Sequence, residues 1–129
     1  VCRTLIVEDN AAFRQSLKEM LHTRFPSILV EEATDGLEAL QKITSNRPDL
    51  VFMNMTLPRG NGLDITKKIK GENAKVVVVL LTSHDLPEYR EAAYSSGASY
   101  FFAKGVSTSE EIYTLVRSMM VSRGDPCSF

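Results

Sequence analysis

Pro48-Asp49-Leu50-Val51-Phe52-Met53-Asn54-Met55-Thr56-Leu57-Pro58-Arg59-Gly60-Asn61-Gly62 is the stretch on which the fold turns. Leu50 to Met53 is a short apolar run of the length and residue types of a strand buried on both faces. It stops at a polar residue, Asn54. Leu57-Pro58 and two glycines then make a loop, and a helical pattern resumes near Leu63. In an open α/β sheet, ligands bind at the carboxyl ends of the strands. Asn54 stands at such an end, so the search for chemistry begins there.

The same grammar repeats on both sides of this stretch. Leu5-Ile6-Val7 is a β-type run closed by Glu8-Asp9-Asn10. A helix follows, with Phe13, Leu17, Met20 and Leu21 at spacings of three and four, and Phe25-Pro26 ends it. Ile28 to Ala33 reads as a second strand. Asp35 is placed to cap a helix whose core stripe is Leu37, Leu40 and Ile43. Beyond the central stretch, Leu63 to Lys70 reads as a helix stopped by Gly71. Val76 to Leu81 is an unbroken apolar run that implies burial on both faces. Asp85 and Glu88 have capping-box spacing, with Pro87 in the first turn, and Ser107 and Glu110 repeat that spacing. Tyr100 to Ala103 is a fifth strand ending at Lys104. The last helix carries Ile112, Leu115, Val116 and Met119 on one face. Five strand–helix units in alternation predict an α/β fold: a parallel sheet covered on both faces with right-handed crossovers.

Composition narrows the class. At 129 residues the chain fits one domain, and a formal net charge of −1 gives no general attraction to nucleic acid or anionic lipid. No apolar run approaches the roughly 20 residues of a membrane helix. No signal peptide is visible, although Val1 points to a missing or processed start. Cys2 and Cys127, near opposite termini, read as reduced thiols of a cytoplasmic protein. The expected domain is 1–122, with 123–129 a poorly ordered tail. His22 and His84 read as surface residues without metal-ligand spacing, Met53 and Met55 as packing, and Arg123-Gly124-Asp125 as a chance tripeptide.

The residues left at the strand ends are chemically coherent. They are Glu8 and Asp9, then Asn54 and Thr56, then Thr82, then Lys104. Two carboxylates beside an amide oxygen and a backbone carbonyl make a hard, oxygen-rich site of the kind Mg²⁺ prefers. A hydroxyl and an ammonium opposite would suit a phosphoryl group.

With these residues in place the chain resembles the receiver domain of two-component response regulators from residue 3 to about 122. The likeness rests on Val7-Glu8-Asp9-Asn10, Asp35-Gly36-Leu37-Glu38-Ala39-Leu40, Pro48-Asp49-Leu50-Val51, Leu57-Pro58 with Gly62, Leu81-Thr82-Ser83, Gly97-Ala98 and Phe101-Phe102-Ala103-Lys104. It implies a flavodoxin-like, doubly wound five-stranded sheet of order 2-1-3-4-5 with five helices. It further implies that Glu8 and Asp9 hold Mg²⁺, Asp9 more directly, with the Thr56 carbonyl as a further ligand. Thr82 would bond the incoming phosphoryl group, Lys104 would bridge to it, and Phe101 would be the aromatic rotamer switch. The implied partners are a histidine kinase or phosphotransfer protein and a downstream partner on the face of the fourth helix, fifth strand and fifth helix. Direct contact of this domain with nucleic acid is not implied. Gly105 departs from the proline often found after the lysine, as in some subfamilies.

The weightiest departure is Asn54, which occupies the position of the phosphoacceptor aspartate. A carboxamide is neutral, is a poor nucleophile and cannot become an acyl phosphate. Metal affinity should fall with the lost charge, since close charges interact by a few kcal/mol even at an effective dielectric of about 20. Retention of Asp9, Thr82 and Lys104 favours deliberate replacement of the acceptor over a natural receiver-like module that signals without phosphorylation. A flavin or nucleotide enzyme on this fold would need a phosphate-cradling loop after the first strand. Glu8-Asp9-Asn10 is the opposite of one.

Overall fold

A computed structural model describes residues 3–84, 86–105 and 109–123. The elements run β1 (Arg3–Val7), α1 (Ala11–Arg24), β2 (Leu29–Ala33), α2 (Gly36–Asn46), β3 (Leu50–Asn54), β4 (Thr56–Leu57), β5 (Gly60–Asn61), α3 (Gly62–Glu72), β6 (Val77–Thr82), α4 (Pro87–Ser95), β7 (Tyr100–Ala103) and α5 (Ser109–Arg123). Five parallel strands form one sheet in the order β2-β1-β3-β6-β7. Strands β4 and β5 are a separate two-residue antiparallel ladder in the loop after β3. With that ladder set aside, the order is the predicted 2-1-3-4-5.

Alternation along the buried strands builds two cores. Ile6, Leu50, Phe52, Val79 and Leu81 face Leu17 and Leu21 of α1 and Ile112, Leu115, Val116, Met119 and Met120 of α5. Leu5, Val7, Val51, Met53, Val78 and Leu80 face the other way, onto α2, α3 and α4, with Ala39, Ile65, Ile69 and Ala93. The unbroken apolar runs of β3 and β6 follow from this two-sided burial.

Local signals set most helix ends. Asn10, Asp35 and Asn61 cap α1, α2 and α3, their side-chain oxygens accepting from Phe13, Glu38 and both Leu63 and Asp64. Phe25 closes α1 ahead of Pro26, as predicted. Four expectations need correction. Leu37 is exposed; α2 meets the sheet through Ala39 (buried) and the half-buried Leu40 and Ile43, because the small alanine lets the helix approach closely. Gly71 does not stop α3, which continues to Glu72 and ends at Asn73, whose N–H bonds the Ile69 carbonyl. Lys70 holds that exit by donating to the carbonyls of Ala74 and Val76. Helix α4 is capped at Leu86 without a side-chain hydrogen bond, with Pro87 at its first position as predicted. Finally, Arg123 ends α5. Asp85 and Ser107, in the two expected capping boxes, lie outside the described residues, as do Cys2, Cys127 and the rest of the expected tail.

Gly62 locks α3 against the end of β3. A Cβ there would come within 2.3 Å of the Asn54 carbonyl oxygen and 2.9 Å of the Met55 Cα, and both neighbours are backbone. Gly62→Ala must therefore push α3 away from β3. We expect a loss of about 2–3 kcal/mol of stability, of the order seen for overpacking, read as a lowered urea midpoint at unchanged slope.

Candidate functional site

Register brings the strand ends to one rim. Val7 is level with Met53, Asn54 with Leu81, and Thr82 with Ala103. Glu8 therefore follows β1 at the level of Asn54, Thr82 sits one residue farther along, and Lys104 one farther still. Lys104 reaches back across this step with its long side chain.

Five of the predicted residues meet directly. The Asn54 side-chain nitrogen donates to Glu8 Oε2 (3.2 Å), Asp9 Oδ1 (3.2 Å) and the Thr56 carbonyl (2.9 Å). This orientation of the amide sets its N–H groups, and not its oxygen, toward the three acceptors. Glu8 is fully buried. Its Oε2 also accepts the Asn10 N–H at 3.0 Å, and its Oε1 is paired with the Lys104 ammonium, which is that oxygen's partner among the described residues. Lys104 in turn stands 4.5 Å from the centroid of the Phe13 ring.

Thr82 and Phe101 are placed differently. Thr82 is buried, but its hydroxyl accepts the His84 N–H (3.1 Å) rather than reaching the Asn54 amide. It touches the cluster through its carbonyl, which takes the Lys104 N–H at 2.7 Å. Phe101 is buried in the core facing α4, with the Arg90 guanidinium 4.7 Å over its ring. His84 and His22 are exposed, and Met53 and Met55 are packed in the core.

Supporting residues were not legible from the strand-end pattern. Arg14 donates from Nη1 to the Glu8 carbonyl (2.9 Å) and from Nε to Glu32 (2.9 Å), tying the loop after β1 to β2. Lys18 completes the pair on Glu32 at 3.1 Å. A lone Arg in a first helical turn carries no sequence signal for this role; only the facing glutamate of β2 reveals it. Partial burial pushes the Glu32 carboxyl up, but hydrogen bonds and charge from Lys18 and Arg14 outweigh it, leaving the pKa below the ordinary 4.5. The folded state thus holds fewer protons than the unfolded chain as pH falls. This contribution is present above pH 4.5 and is lost as pH drops through the lowered folded value. The acid side of a Tm-versus-pH curve should therefore be shallower in Glu32→Gln than in the parent. Asp35 and Glu38 add in the same direction. Asp35 is held low by the Glu38 backbone N–H and by Arg59, and Glu38 by the Thr34 backbone N–H.

The donor set suits Mg²⁺, whose preference is for hard oxygens. Glu8 Oε2, Asp9 Oδ1 and the Thr56 carbonyl converge on the Asn54 side-chain nitrogen, so three hard oxygens already face one point. Among the described residues no three Asp, Glu, His or Cys side chains gather as a metal-binding group. Among the same residues no helix is long and apolar enough to cross a membrane.

Comparison with known proteins agrees with this architecture. The family model described as "Response regulator receiver domain" matches residues 4–117. The response regulator MprA of Mycobacterium tuberculosis is 33% identical over 118 residues, covering 92% of this chain and 50% of that protein. The chain thus spans about half the length of the curated relatives it matches. A two-component response regulator from Clostridium difficile superposes with a TM-score of 0.88 at 26% identity, covering 97% of this chain and all of that one. A LuxR-family response regulator from Aurantimonas gives 0.83 at 25% identity, covering 95% and 86%. Strand order, rim and sequence match together make this chain a member of the response-regulator receiver domain family of two-component signalling.

Proposed function

We propose that this chain is a receiver domain whose pocket is laid out for phosphoryl transfer from a histidine kinase or phosphotransfer protein, and which is silenced at the acceptor by Asn54. The observation that carries this reading is the Asn54 amide at the meeting point of Glu8, Asp9 and the Thr56 carbonyl, with Lys104 alongside. The pocket's one cation, Lys104, and its two acids, Glu8 and Asp9, are in place, and the group that must be a nucleophile is neutral. An acceptor carboxylate would form a bond to phosphorus while the bond from phosphorus to the donor's leaving group breaks. A carboxamide at residue 54 offers no such oxygen anion.

Mg²⁺, when bound, would neutralise charge on a phosphoryl group, and Glu8, Asp9 and the Thr56 carbonyl would hold it. The Asn54 amide would join that set through its oxygen, the one hard donor that it has. The reading makes the chain a signalling module rather than an enzyme with its own substrate. Its test is labelling by acetyl phosphate with Mg²⁺ before and after Asn54→Asp.

A second reading has a specific observation behind it. Phe101 is already buried, with Arg90 on its ring, and Leu86, Tyr89, Tyr94 and Tyr100 are exposed on the α4–β7 side. A module that docks a downstream partner on the α4–β7–α5 face without phosphorylation would need this surface preformed. Partner binding that is equal for the parent and for phosphorylated Asn54→Asp would favour it.

A further inference from the structure

The rim holds one contact that the phosphoryl-transfer layout does not account for. The Lys104 ammonium, on a side chain only 15% exposed, lies between the Glu8 carboxylate and the face of the Phe13 ring. Both partners of the ring contact are anchored. The Phe13 N–H donates to Asn10 Oδ1 at 3.0 Å, fixing the first turn of α1. The next residue, Arg14, is clamped to the Glu8 carbonyl and to Glu32. The ring itself packs against the α1–α5 core. On the other side, the Lys104 N–H is held by the Thr82 carbonyl, and Gly105 turns the chain away at φ +81°.

A lysine stem is flexible and its ammonium is a compact point charge. The carboxylate alone leaves that charge free to swing about Glu8. An aromatic face attracts a cation along one direction and so removes that freedom. A leucine at residue 13 would fill the same core edge and exert no such pull.

We propose that Phe13 is a positioning residue for Lys104, its ring holding the ammonium at the rim and coupling the first turn of α1 to the end of β7. The inference rests on reading this rim as a phosphoryl-transfer site, and its test separates the two. In the parent protein, the Hε protons of Lys104 should be shifted upfield by the ring in a ¹³C–¹H spectrum. Phe13→Tyr should keep that shift, and Phe13→Leu should abolish it. In the Asn54→Asp background, labelling by acetyl phosphate with Mg²⁺ should slow about three- to tenfold in Phe13→Leu, the scale of one cation–π contact. Phe13→Tyr should label at the starting rate. Unchanged Lys104 Hε shifts in Phe13→Leu, or equal labelling rates for the Leu and Tyr variants, would overturn the proposal. Failure of Asn54→Asp to label at all would fall on the functional reading instead, and the Hε shifts would still decide the role of Phe13.

Discussion

Asn54→Asp is expected to take phosphoryl uptake from none to one group per chain. The change restores an oxygen anion at the end of β3, beside Glu8 and Asp9 and within the reach of Lys104. Incubation with acetyl phosphate and Mg²⁺ should add the mass of one phosphoryl group, labile to hydroxylamine as an acyl phosphate is. The parent chain should gain nothing under the same conditions. The substitution also carries a cost. It removes two amide N–H donors that three oxygens share, at about 1 kcal/mol net for each hydrogen bond, and it sets a third carboxylate against the two already there. In EDTA the variant should therefore melt below the parent. Mg²⁺ should recover most of that loss, because a ligand at 100 times its Kd stabilises by about 2.7 kcal/mol. The parent should respond far less to the metal. A variant that takes no phosphoryl group, and whose Tm ignores Mg²⁺, would remove the basis for the proposed function.

The second large effect concerns Glu8 and Lys104. Glu8 is wholly buried, and one of its carboxylate oxygens relies on the Lys104 ammonium. Lys104→Met should leave that charge uncompensated and cost about 3–5 kcal/mol, the range for breaking a buried ion pair from one side. Removing the charge as well, in the Glu8→Gln/Lys104→Met double variant, should recover much of the loss. Replacement of a whole buried pair is often close to neutral. The pair of Arg59 and Asp35 is the control, because its cation stands in water: the Arg59 side chain is 64% exposed against 14% for Asp35, and Arg59→Ala should cost less than about 1 kcal/mol. Urea unfolding of the parent and these three variants gives the comparison directly. A Lys104→Met cost no larger than that of Arg59→Ala would mean that the pair does not compensate a buried charge.

Much of the fold was legible because its signals are local. Burial on both faces leaves β3 and β6 without polar alternation, and Asp35 caps α2 through the N–H of Glu38, three residues away. Where local signals compete with packing, packing won. Leu37 has the spacing of a core residue, yet Ala39 takes the contact because a helix lies closer to a sheet over a small side chain. Gly71 is a weak helix former, but the Asn73–Ile69 hydrogen bond and Lys70 carry the helix past it.

From the sequence alone came the alternation of strands and helices, the parallel sheet with two cores, and the membership of the rim: Glu8, Asp9, Asn54, Thr56, Thr82 and Lys104. Period and apolar content are properties of consecutive residues, so they can be read in one dimension. Only the tertiary structure decided who pairs with whom on that rim. Lys104 settles on Glu8 and Phe13, the Asn54 amide turns its N–H groups into three oxygens, and the Thr82 hydroxyl serves the His84 backbone. Those choices depend on the register between strands distant in sequence, where a step of one residue moves a donor by about 3.3 Å and so makes or breaks a hydrogen bond.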